Sequence, residues 1–215
     1  MSELAKRLSG RFIVIDGPDG AGKSTQVKLL AEWLAAEGVR VQVARDPGGT
    51  PIGERIRAIL LDRLHGEMVV QCELMLYMAS RSQLVAHVIR PALERGECVL
   101  CDRYISSTVA YQGAGGAEVA DVQEAGRIAV GGLRPDLTIL LDLPAQKGLA
   151  RIAKGKDRVE SKDFAYHSRV REIFLQQARE GRRRWAVVDA VGPVEEVQAA
   201  LREIIKKRKL QGTKV

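Results

Sequence analysis

Gly17-Pro-Asp-Gly-Ala-Gly-Lys-Ser24 lies between the short apolar run Phe12-Ile-Val-Ile15 and a segment where Val27, Leu30, Ala31 and Leu34 recur at helical spacing. The stretch fits G-x-x-x-x-G-K-[ST] at every fixed position, in the strand, loop, helix order that its chemistry needs. With glycine at about 7% of residues on average, a chance match in a chain of this size is on the order of one in a hundred. The glycines let backbone N–H groups turn inward around phosphate oxygens, and the helix behind them presents its positive end to the same point. Lys23 then reaches the β- and γ-phosphates of a nucleoside triphosphate, and Ser24 holds Mg2+. Gly17, Pro18, Asp19, Gly20, Ala21, Gly22, Lys23, Ser24 and Thr25 are the candidate nucleoside triphosphate site.

Working outward, Gly38 stops the first helix and Val39 to Val43 reads as a second strand. Thr50-Pro51 has the form of an N-cap followed by a first-turn proline, and Ile52, Ile56, Ile59 and Leu60 continue that helix. Helical periodicity returns from Leu74 to Leu93, from Val119 to Val130, near Asp163 to Glu180, and from Val194 to Lys207. Cys98 to Cys101, Leu137 to Leu141 and Trp185 to Val188 are short apolar strands; a basic loop follows the second of these. Five short strands alternating with helices predict an α/β fold, a parallel sheet covered on both faces. No repeat or low-complexity linker interrupts it, so residues 1–215 read as one domain.

The chain's 215 residues carry 34 Lys+Arg against 27 Asp+Glu, a net charge of +7 that favours anionic partners. Aromatic residues are only 4%, few for a binder of stacked single-stranded bases. No window approaches the roughly eighteen apolar residues of a membrane span, and Met1 to Arg11 holds no signal-peptide core. The three cysteines make no disulfide framework, so a cytoplasmic location is expected. Cys98 and Cys101 form a C-x-x-C, but on a strand residues three apart point to opposite faces, so buried thiols are expected rather than a metal or redox pair. The three histidines, His65, His87 and His167, show no ligand spacing and read as surface or supporting residues.

Four further stretches choose among the uses of a phosphate loop. They are Arg45-Asp-Pro-Gly-Gly-Thr50 with Gly53-Glu-Arg-Ile-Arg57; Leu74-Met-Leu-Tyr-Met-Ala-Ser-Arg81; Asp102-Arg-Tyr-Ile-Ser-Ser-Thr-Val-Ala-Tyr-Gln-Gly113; and Pro135 to Leu143 followed by Gly148 to Glu160. A carboxylate at the carboxyl end of a parallel strand, as at Asp102, faces the ligand crevice. The arginine beside it suits a dianionic phosphate. Tyr77 and Arg81 stand one helical turn apart on one face.

With the phosphate loop, these stretches resemble the thymidylate kinase family along nearly the whole chain. The resemblance implies a P-loop kinase fold, a three-layer α/β/α sandwich with a mobile lid at about residues 145–160. It also implies ATP-dependent phosphorylation of dTMP to dTDP. Asp102 becomes a carboxylate of the Mg2+ shell beside Ser24, and Arg103 a clamp on the acceptor phosphate. Arg45 and Arg57 approach that phosphate; Tyr77 stacks on thymine while Arg81, Thr108 and Gln112 contact its edge; Tyr111 gates the sugar. Asp19 lies by the acceptor's sugar and phosphate end. Asp46 stands where the family usually has Glu, and Tyr77 where it commonly has Phe.

In the lid the resemblance makes Arg151 an ATP contact and Arg158 a closing catalytic cation, among the further cations Lys154 and Lys156. Some thymidylate kinases carry an arginine at the loop position held here by Gly20; others are neutral there and supply the cation from the lid, and this chain resembles the latter. Catalysis is expected to rest on Lys23, Arg103 and Arg158 with Mg2+ as cofactor, and with no general base, because the acceptor is already an oxyanion. The expected partners are ATP, dTMP and a second copy of the chain in a homodimer, without nucleic acid or membrane. A nucleotide switch or partition ATPase is the rival reading of the charge; it would lack an acceptor pocket. The basic tail, about 206–215, reads as a solvated helix end.

Overall fold

The computed structural model of the chain describes residues 2–152, 157–208 and 210. Five strands, β1 (Phe12–Asp16), β2 (Val41–Arg45), β3 (Cys98–Asp102), β4 (Leu137–Asp142) and β5 (Trp185–Asp189), form one sheet in the order β2-β3-β1-β4-β5, every pair parallel. Helices α1 (Glu3–Leu8), α2 (Lys23–Ala36) and α10 (Val194–Lys207) contribute to the core on one face. The other face carries α3 (Pro51–Leu61), α4 (Val70–Leu84), α5 (Arg90–Glu94), α6 (Ile105–Ala114), α7 (Val119–Ala129) and α9 (Phe164–Glu180). A short α8 (Ala145–Arg151) follows β4.

Strand alternation divides the core. Ile13, Ile15, Leu100, Ile139 and Leu141 pack with Leu30, Leu34, Leu201 and Ile205, while Phe12, Val14, Val99 and Cys101 pack with Leu84, Ile89, Leu93 and Tyr104. β1 and β3 are buried along their whole length, which is why they read as unbroken apolar runs. Each such aliphatic side chain contributes roughly 1.5–3 kcal/mol of burial. Cys98 and Cys101 fall into these two separate clusters, so their sulfurs do not converge, and the described residues hold no group of three metal-ligating His, Cys, Asp or Glu side chains.

The Thr50 cap forms as expected: its Oγ1 accepts from Gly53 N at 3.0 Å with Pro51 in the first turn. Elsewhere boundaries shift. Val39 belongs to the turn ending α2, its N–H donating to Leu34 O at 2.9 Å, and β2 begins only at Val41. The helix read from Leu74 to Leu93 runs from Val70 to Glu94 but widens to a π-turn at Val85–Ile89, just ahead of Pro91, which lacks the N–H a regular turn needs. Two helices lie outside the expected elements: α1, capped by Ser2, and α8, which stands where a basic loop is expected. No helix among the described residues is long and apolar enough to cross a membrane.

Candidate active site

The first wall is built where β1 and β3 end side by side, with Ile15 in register with Asp102. β1 neighbours β3 on one side and β4 on the other, so the crevice at its carboxyl end is the switch point where such sheets bind ligands. The phosphate loop leaves β1 there and turns into α2 through an N-cap, Gly22, that offers no side-chain cap. The first N–H groups of α2 therefore face the loop's hollow as donors for an anion. Lys23 is almost fully buried and its Nζ donates to Pro18 O at 2.8 Å. Burial, seconded by Arg103, pulls its pKa down to about 8.

Ser24 Oγ donates to Asp102 Oδ2 at 2.6 Å. A hydroxyl and a carboxylate on one spot are hard oxygen donors, the chemistry that suits Mg2+ rather than a soft or imidazole-seeking metal.

Arg103 is the hub of the site. It is the non-glycine residue with positive φ among those described, at 69°, a conformation that costs energy unless its surroundings hold it. They do: its guanidinium donates to Gly17 O at 3.1 Å, Ser107 Oγ at 2.9 Å, Tyr111 Oη at 3.2 Å and the Asp19 carboxylate. It also lies over the Tyr111 ring, 4.9 Å from its centre. Burial pushes the Asp19 carboxyl upward, but Arg103 and Lys23 outweigh it and hold the group below its ordinary value. Behind Arg103 sits Asp16, fully buried, accepting from Gly17 N at 2.9 Å, Ser106 Oγ at 2.6 Å and Ser107 Oγ at 2.7 Å. Its carboxyl is pushed up by burial, with Arg103 and the two serines opposing. Asp16 was not read from the sequence; the available signal was a carboxylate closing an otherwise apolar strand.

The second wall belongs to α4 and α6. Arg81 is 1% exposed, paired with the Asp46 carboxylate, and donates to Thr108 Oγ1 at 2.8 Å. Gln112 Nε2 donates to Glu73 Oε1 at 3.2 Å. Tyr77 lines the same space, and burial raises its phenol pKa, so the ring stays neutral. On α3 Arg57 donates to Pro47 O at 3.0 Å, while Arg45, the last residue of β2, pairs with Glu54 at 2.8 Å and is half exposed.

Both walls enclose one cavity of about 360 Å3. Asp19, Gly20, Gly22, Lys23, Ser24, Thr25, Asp102 and Arg103 line it, as do Arg45, Arg57, Tyr77, Arg81, Thr108, Tyr111 and Gln112. Gly17 and Pro18 enter through their carbonyls, as acceptors for Arg103 and Lys23, whereas the Ala21 methyl turns into the core. Asp46, Ser107, Asp157 and Glu160 line the cavity too, although no role was read for them. Burial raises the Glu160 carboxyl.

The lid residues are the exceptions. Arg151 points to backbone carbonyls, donating to Ala190 O and Val191 O at 3.0 Å and to Gly20 O at 3.4 Å. Arg158, expected to close on the phosphates, is buried here, donates through Nε to Leu60 O at 2.9 Å, pairs with Glu73 at 2.8 Å and does not line the cavity. A buried carboxylate on α4, invisible as a partner in the sequence, holds it. Lys154 and Lys156 lie outside the described residues. At Gly20, a Cβ would sit 2.3 Å from Gly148 O, and one on Gly148 would sit 2.4 Å from Asp19 O. Loop and α8 thus meet backbone to backbone, and no side chain, arginine included, fits at position 20 while they do.

A phosphate loop at the switch point of a parallel sheet, sharing one cavity with a second polar wall, defines a P-loop α/β protein of the nucleotide kinase type. A family model described as thymidylate kinase matches residues 15–201. The chain is 48% identical to the thymidylate kinase of Pseudomonas fluorescens, covering 92% of this chain and 96% of that one. It is 46% identical to that of Deinococcus radiodurans (93% and 98%) and 44% identical to that of an Exiguobacterium (95% and 98%). The chain belongs to the thymidylate kinase family.

Proposed function

We infer that the cleft transfers the γ-phosphoryl group of ATP to dTMP, giving ADP and dTDP. The observation that carries this is the shared cavity: phosphate-loop groups and the α4–α6 wall face one space. In the transfer an oxygen of the dTMP phosphate forms a bond to the γ-phosphorus. The bond from that phosphorus to the bridging oxygen breaks, and its electron pair leaves with ADP.

Such a reaction needs alignment and charge neutralisation more than covalent help. Two anionic phosphate groups repel each other, and cations fixed between them lower that barrier. On our reading Lys23 spans the β- and γ-phosphates and Arg103, tethered by Asp19, Ser107 and Gly17, holds the acceptor phosphate. Arg45 and Arg57 add charge at its outer side. Tyr77 covers the face of the thymine; Arg81, Thr108 and Gln112 read its edge. Tyr111, braced by Phe174 at 6.1 Å and Tyr166 at 6.4 Å, closes the space that a 2′-hydroxyl would occupy. Ser24 and Asp102 would hold Mg2+, which neutralises charge on the triphosphate when bound. Arg151 joins the donor side through its contact with Gly20 O, and Arg158 acts through Glu73 on the wall that includes Gln112.

The reading extends to a cytoplasmic homodimer. Supporting it, Met75 on α4 and Ile128 on α7 are 58% and 67% exposed on two helices that pack against each other, and Cys72, Cys98 and Cys101 are free thiols. Arg103→Ala tests the site: turnover of dTMP should collapse by about 10³-fold with the circular-dichroism spectrum unchanged. A near-wild-type rate would remove Arg103 from the mechanism.

A further inference from the structure

A second concavity of about 760 Å3 lies between α7 and α9 at the N-terminal ends of β4 and β5, and it shares no lining residue with the cleft. Arg127, Arg134, Arg182, Arg183 and Arg184 line it against one carboxylate, Glu180. Arg127 is engaged by Glu124 at 2.6 Å, and Arg184 donates to Pro135 O at 3.0 Å. Arg182 and Arg183 are exposed, and their guanidinium groups have no hydrogen-bond or ion-pair partner among the described residues. With Arg127 and Arg134 engaged, the uncompensated charge of the hollow sits on Arg182 and Arg183, and an anion relieves it. Guanidinium forks match phosphate oxygens in shape as well as charge.

The hollow also has an aromatic element. A Cβ on Gly181 would lie 2.4 Å from Trp185 Cδ1 and 2.6 Å from its Nε1, so the edge of the indole rests on bare backbone. Trp185 is only half-buried, and the amides of Gln123 and Gln177 stand in the same lining. A volume within the roughly 300–1,000 Å3 of small-molecule sites, an arginine cluster and an aromatic face match a phosphate chain joined to a base. A nucleic-acid backbone would instead call for cations spread as a stripe, and these are gathered into one hollow. We propose that this concavity is a second nucleotide site that takes a nucleoside triphosphate, with Arg182 and Arg183 on the phosphates and Trp185 against the base.

Trp185 provides its own readout. The other tryptophan, Trp33, lies on α2 beneath Arg202 and Lys206, so Trp33→Phe leaves Trp185 as the sole tryptophan, excited selectively at the red edge of its absorption. This variant is titrated with dTTP, ATP, inorganic tripolyphosphate and a single-stranded oligodeoxynucleotide. The expected result is a saturable change in emission with dTTP and ATP, with tripolyphosphate binding about tenfold more weakly because it lacks a base. Adding Arg182→Gln and Arg183→Gln weakens the nucleotides by about tenfold or more, while dTMP phosphorylation without added effector stays unchanged. Three results overturn the proposal: no change at millimolar nucleotide; a change equally strong without the two arginines, which would come from the phosphate loop; or an oligonucleotide that outcompetes both nucleotides, which would make this a nucleic-acid surface.

Discussion

Arg158 and Glu73 form an ion pair at 2.8 Å whose side chains are 8% and 5% exposed, and the same Glu73 oxygen accepts from Gln112 at 3.2 Å. One buried carboxylate thus ties the segment between α8 and α9 to the wall assigned to the thymine. Removing one member of a buried pair costs about 3–5 kcal/mol, because the other charge is left uncompensated. Glu73→Ala should lose about that much in urea unfolding, and Glu73→Ala combined with Arg158→Met should regain at least half of it. A double variant no more stable than Glu73→Ala would show that Arg158 is not held by this pair.

Lys23 makes nucleotide binding pH-dependent. Burial and Arg103 set its pKa at about 8, and a bound triphosphate stabilises the charged form and raises that value. The sign follows: below pH 8 the lysine is already protonated and binding takes up no proton from it. Above pH 8 binding draws one proton, and affinity weakens with each unit of pH by up to about tenfold. Calorimetry of ATP binding at pH 9 in two buffers of different ionisation heat should register this uptake. Lys23→Arg, charged throughout, should abolish it; no uptake by the unaltered protein at pH 9 would contradict the assignment.

The contact between Ser24 and Asp102 predicts a metal phenotype. Asp102→Asn keeps the hydrogen bond from Ser24 and removes the charge, so kcat should fall by about 10²–10³-fold while the Mg2+ concentration needed for half-maximal rate rises. Steady-state rates across a Mg2+ titration check both effects. A variant with an unchanged Mg2+ requirement would place the metal elsewhere.

What was legible in the sequence is what is local. The phosphate loop, the Thr50 cap and the strand runs are contiguous patterns, and the parallel sheet follows from them. Tyr77 with Arg81, and Thr108 with Gln112, each stand one helical turn apart, so their common wall was readable once the family pattern was seen. The partnerships were not. Asp16 looks like a strand end until Ser106, Ser107 and Arg103 fold over it, and Glu73 looks like a helix surface charge until Arg158 arrives from the lid. The short α8 has no apolar stripe to read; the backbone contact of Gly148 with the phosphate loop positions it.

The central claim is that one cavity joins an ATP site to a thymine-reading wall, and initial rates with ATP and a panel of monophosphates test it most directly. The account predicts dTMP as the preferred acceptor, with dUMP lower by about 10–200-fold in kcat/KM for its missing methyl group. CMP, AMP and GMP should be lower by about 10⁴-fold or more, because buried Arg81, Thr108 and Gln112 would face unmatched groups, and UMP, whose base edge matches that of dUMP, should fall below dUMP through its 2′-hydroxyl at Tyr111. Comparable or faster turnover of AMP, GMP or CMP would contradict it.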